Sequence, residues 1–96
     1  KDDGTLIIDL HADEVLETTA GMNSADILHY QMDIFKKTMA ENKKNKGQKI
    51  IFIHGKGEGV LRQALIHELN YRYKNCTYQD ASFQEYGYGA TQVTIR

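Results

Sequence analysis

Ninety-six residues suffice for one domain with a modest core, and 41% hydrophobic with 26% charged residues is the balance of a soluble globular chain. No apolar run approaches the roughly 20 residues of a membrane span, and the sole cysteine, Cys76, permits no internal disulfide and fits a reducing, cytoplasmic setting. The net charge of −1 hides an asymmetry: residues 1–35 hold eight Asp/Glu against Lys1, whereas residues 36–75 hold ten Lys/Arg against three Glu, which marks either a polyanion-binding face or a solvated lysine-rich loop.

The chain opens at Lys1 with neither an initiator Met nor a charged-then-apolar leader, and reads as one domain, residues 1–96, excised from a longer protein. Thr5 to His11 predicts a first, buried strand whose alternation puts Ile7, Asp9 and His11 on one face and Leu6, Ile8 and Leu10 on the other. Ala12 to Asn23 has weak periodicity and reads as an exposed acidic loop, a helical turn around Asp13–Glu17 being the alternative. Ser24 is the expected N-cap of an amphipathic helix over 25–41, with Leu28, Met32, Phe35 and Met39 at helical spacing and Asp26 in the first turn. Asn42 to Gln48 ends that helix in turn formers and lysines.

Lys49 to His54 predicts the second strand, and residues 60–73 a second helix on Leu61, Leu65 and Leu69, closed by Tyr71 and Tyr73. Thr77 to Phe83 reads as a third strand, Tyr86 to Gly89 as a turn, and Thr91 to Ile95 as a fourth strand. The order βαβαββ implies an α/β fold of the two-layer α+β sandwich kind, a mixed four-stranded sheet with two main helices. If the first three strands run parallel, their carboxyl ends share one edge, where ligands of open α/β sheets gather. Asp9, His11, His54 and Lys56 are then neighbours, and the lysine-rich loop at 43–46 lies at the opposite edge.

His54-Gly55-Lys56-Gly57-Glu58-Gly59 joins the second strand to the second helix. Such a turn offers backbone N–H groups and a helix dipole to a phosphate, with Lys56 and Arg62 as cationic contacts. For Arg62 the competing reading is an ion pair with Glu58 or Glu68, and Glu58 is expected to point outward. Asp9 and His11 make an acid/base or metal-binding pair, or a structural hydrogen bond at the strand end. His54 is a general base or a phosphate-stabilising cation, or else a satisfied histidine at a strand terminus. Gly87 and Gly89 shape the turn into the last strand, Tyr86 and Tyr88 pack or stack on a base, and Thr91 is a weaker candidate. No G-x-x-x-x-G-K-[ST] occurs, so no nucleotide cofactor is expected, and Cys76 has no partners for zinc.

Ile8-Asp9-Leu10-His11, His54 to Arg62 and Tyr86-Gly87-Tyr88-Gly89-Ala90-Thr91 resemble the three signature segments of the Smr (small MutS-related) domain, approximately LDLHG, HGxGxGxLR and GGxGAT, in that order. The resemblance spans Thr5 to Ile95 and implies a fold similar to the C-terminal domain of bacterial translation initiation factor three. It implies DNA or RNA as partner and endonuclease activity, nicking or cleavage, at the carboxyl edge. Asp9, His11 and His54 would be catalytic, and Gly55, Lys56, Gly57, Gly59, Arg62, Gly87, Gly89 and Thr91 would bind phosphate. Ala12 and Tyr86 replace glycines of the pattern and an acidic insert precedes the first main helix, which points to a divergent branch from longer bacterial proteins. Mg²⁺ is the metal such chemistry would use, with Asp9 a clear carboxylate and Glu85 a second. The alternatives are a non-catalytic nucleic-acid-binding module and a protein-interaction domain serving other domains of the parent protein.

Overall fold

The computed structural model describes residues 4–55, 59–87 and 89–96. In chain order these form β1 (Leu6–Asp9), α1 (Ala12–Val15), α2 (Ser24–Glu41), β2 (Lys49–Ile53), α3 (Val60–Tyr71), β3 (Cys76–Asp80), α4 (Phe83–Tyr86) and β4 (Ala90–Ile95). The sheet order is β1-β2-β4-β3, with β1 parallel to β2 and β4 antiparallel to both β2 and β3. The first three strands therefore run the same way, and their carboxyl ends meet the start of β4 at one edge.

Alternation along the strands sorts the sheet into two faces. Ile8, Ile50, Phe52, Val93 and Ile95 turn toward α2 and α3, which contribute Met32, Phe35, Met39, Leu61, Leu65 and Leu69 to the same core. Phe35 meets Phe52 edge-on, with centroids 4.9 Å apart. On the other face Ile51, Ala81 and Ala90 form a small cluster closed by Ile53 and Tyr86. The result is a two-layer α+β sandwich. Among the described residues no helix is long and apolar enough to cross a membrane.

Several local expectations are corrected. β1 is an outer strand paired only with β2, so Leu6 and Ile7 are exposed at 36% and 44% and the strand is not buried. The N-cap of α2 is Asn23, one residue before Ser24. From that position its side chain accepts from Asp26 N at 2.8 Å while the Asp26 carboxylate accepts from Asn23 N at 3.2 Å, a reciprocal box that Ser24 would forfeit because Ile27 would then sit opposite it. The helical turn takes the start of the acidic segment, as α1, ahead of the loop. α3 stops at Tyr71, and Tyr73 beyond it sets its ring edge-on against Phe35 at 5.7 Å. β3 ends at Asp80, and Phe83, expected within that strand, begins α4.

Candidate functional site

Three chain segments meet at the carboxyl edge, and the contact between them is backbone on backbone. Gly89 O accepts from His54 N at 2.8 Å and from Gly55 N at 3.0 Å, locking the exit of β2 to the entry of β4. A Cβ on Gly89 would stand 3.0 Å from Gly55 Cα, a tight contact that would push the two backbones apart by a few tenths of an ångström. Gly55 itself holds φ +81, and a Cβ there would lie 2.7 Å from Nε2 of His11. The His11 ring thus rests over a glycine surface that the two other segments build.

The two histidines of this junction carry their protons on the same nitrogen but differ in what the other nitrogen meets. Asp9 Oδ1 accepts from His11 N at 2.9 Å and lies 2.8 Å from its Nδ1; a carboxylate oxygen only accepts, so Nδ1 bears the proton and Nε2 of the neutral ring keeps its lone pair. The His11 side chain is 48% exposed, and among the described residues Nε2 has no hydrogen-bond partner. His54 is 8% exposed. Its Nδ1 donates to Gly55 O at 3.0 Å, and its Nε2 accepts from the Thr91 hydroxyl at 2.9 Å. Burial lowers the His54 pKa below the usual 6.5, the Gly55 carbonyl opposes that, and Arg62 reinforces it, so the ring is neutral at pH 7.

His54 accordingly has the arrangement of the satisfied histidine at a strand end, with neither ring nitrogen open to a ligand. Thr91 is 1% exposed and supports His54 from below, away from solvent. Arg62 bonds Asp80 Oδ1 at 3.1 Å in place of the Glu68 partner, and its other expected partner, Glu58, lies outside the described residues. Lys56, Gly57 and Tyr88 are likewise outside them. Gly59 caps α3 with no side-chain hydrogen bond to the first turn, and Gly87 ends α4, donating to Phe83 O at 2.8 Å.

Two residues of this region were not anticipated. Asp80 reaches the edge because β3 ends there, a boundary that the strand pattern ran through. Gln31 donates from Nε2 to Leu10 O at 2.8 Å and ties α2 behind the Asp9–His11 turn; on a helix read by its apolar stripe nothing distinguished it. Beside the junction a cleft of about 350 Å³ opens between α2 and α3, lined in part by Leu28, Gln31, Gly55 and Arg62. Among the described residues no three His, Cys, Asp or Glu side chains gather as a metal site, and Asp9 Oδ1 is already engaged twice by His11.

The family model of the Smr domain matches residues 20–96. That span takes in His54, Gly55, Arg62, Gly89 and Thr91, while Asp9 and His11 precede it and join it through the Gly55 contact. No curated protein matches the chain.

Proposed function

The chain belongs to the Smr domain family, and from that premise we propose that it binds nucleic acid across the carboxyl edge of its sheet and cleaves a phosphodiester there, with His11 as general base. Smr domains are generally nucleic-acid-binding. The observation that carries the catalytic part is the Asp9–His11 pair: a carboxylate 2.8 Å from Nδ1, and over the Gly55 turn an Nε2 with no hydrogen-bond partner among the described residues. Nε2 takes the proton from the attacking hydroxyl or water, the new P–O bond forms, and the leaving oxygen departs with a proton drawn from solvent. Asp9 stabilises the imidazolium formed on the way. Arg62 and the backbone N–H groups of the first turn of α3 face the growing phosphate charge.

A binding module without cleavage is the second reading, favoured by the engagement of both His54 nitrogens, which leaves the edge with one available imidazole. Nicking of supercoiled DNA and cleavage of a structured RNA, with Mg²⁺ and with chelator, separate the two. The wild-type chain should cut, and His11→Ala should lose about 10²–10⁴ in rate, the range of a general base, while binding changes less than a few-fold. Salt-sensitive binding of substrate that stays intact would establish the module. Cleavage undiminished in both Asp9→Asn and His11→Ala would remove the pair from the mechanism.

A further inference from the structure

We propose that Thr91 and His54 are positioning residues whose hydrogen bonds hold the Gly55 turn where the His11 imidazole needs it. The inference rests on the reading of His11 as the base. A continuous path of contacts carries it: the Thr91 hydroxyl donates to His54 Nε2 at 2.9 Å, His54 Nδ1 donates to Gly55 O at 3.0 Å, and the Cβ direction of Gly55 points at His11 Nε2. The Gly55 peptide is thus fixed on both sides, by His54 through its carbonyl and by Gly89 O through its N–H at 3.0 Å. Releasing the carbonyl lets the turn rotate, and the glycine surface beneath the His11 ring rotates with it.

A merely space-filling role does not account for these residues. Thr91 shares the helix-side face of β4 with Val93 and Ile95, which are apolar and almost fully buried, and valine would fill the same volume there without the cost of burying a hydroxyl. What the hydroxyl adds is direction. The Gly55 carbonyl, which only accepts, fixes the proton of His54 on Nδ1, and the Thr91 hydroxyl then donates to the lone pair left on Nε2.

The decisive comparison is Thr91→Val with Thr91→Ser in the full chain, Thr91→Ala replacing the first where it does not fold. Long-range proton–nitrogen spectra at pH 7 should show His54 protonated on Nδ1 in the wild type. In Thr91→Val both the His54 and the His11 ring signals should move, although no hydrogen bond joins His11 to Thr91. The cleavage rate constant kcat should fall roughly 10- to 100-fold with KM within about twofold, as a misplaced base predicts. Thr91→Ser should return both readouts to near the wild-type values. Unmoved His11 signals in a folded Thr91→Val chain, or a loss that serine does not rescue, would overturn the assignment. If the wild type cuts nothing, the nuclease reading fails by itself, and the His11 signals still decide whether Thr91 and His54 position that ring.

Discussion

The two ends of the sheet hold clefts of almost equal volume, about 350 Å³ beside Gly55 and about 360 Å³ between Thr5 and the Asn45–Lys49 turn, yet they are built in different ways. At the lysine-rich end Lys43, Lys44 and Lys46 are exposed, and the fixed groups are backbone or amide: Gly47 N on Ile95 O at 2.7 Å, Gln48 Nε2 on Gly4 O at 2.7 Å. At the carboxyl edge Arg62 is the cation that lines the cleft among the described residues, and two imidazoles are each held by a named acceptor at 3.0 Å or less. Concavity therefore does not distinguish the ends. Fixed direction does, because a flexible lysine offers a point charge, whereas a held ring offers one nitrogen at one place.

The strongest challenge to that contrast is Gly55→Ala. A side chain at φ +81 costs on the order of 1–3 kcal/mol in the folded state, and its methyl would meet the His11 ring, which can swing away. Thermal unfolding should register the first effect. A roughly 10²-fold loss of cleavage with nucleic-acid affinity nearly unchanged should register the second. Wild-type cleavage in this variant would mean that the held ring is not what the carboxyl edge contributes.

A smaller effect follows from pH. The His54 pKa is depressed, chiefly by burial, with Arg62, Asp80 and His11 as the ionisable neighbours, so the unfolded chain binds the extra proton first. Stability from this group is complete above about pH 6.5, the unfolded value, and declines as pH falls through the lower folded value. The unfolding midpoint of the wild type should drop across that window more steeply than that of His54→Gln. Equal slopes would show that His54 is not buried in the way described.

The smallest expected effect sharpens the contrast from the other side. Replacing Lys43, Lys44 and Lys46 together by alanine should leave the slope of log affinity against log salt within a few tenths of the wild type, whereas Arg62→Ala alone should reduce it by about 0.7–0.9, one phosphate contact. The reverse pattern would move the nucleic-acid track to the lysine end.

The same contrast explains what could be read from the chain itself. Periodicity located α2 and α3 within two residues at their ends, and strand order brought Asp9, His11 and His54 to one edge, because both depend on local patterns of apolar side chains. The roles of the histidines were not legible. His11 and His54 each follow an apolar run, and they part company only through Thr91, 37 positions from His54, and through an aspartate two positions from His11. Asp80 was lost for a humbler reason: the strand pattern continued past it, while the chain turned into α4. Long-range hydrogen bonds and strand ends are set by packing, which a pattern of spacings does not encode.

β4 is the last strand in chain order but occupies an inner position, between β2 and β3. During synthesis the β1–β2 pair must therefore wait with one side of its backbone unpaired until residues 90–95 leave the ribosome, and those same residues bring Thr91 beneath His54. Completion of the sheet and assembly of the site are a single late event. A chain cut short of Ala90 would lack the inner strand, its partner hydrogen bonds and the support of His54 together, so such a piece would not carry a half-formed version of this edge.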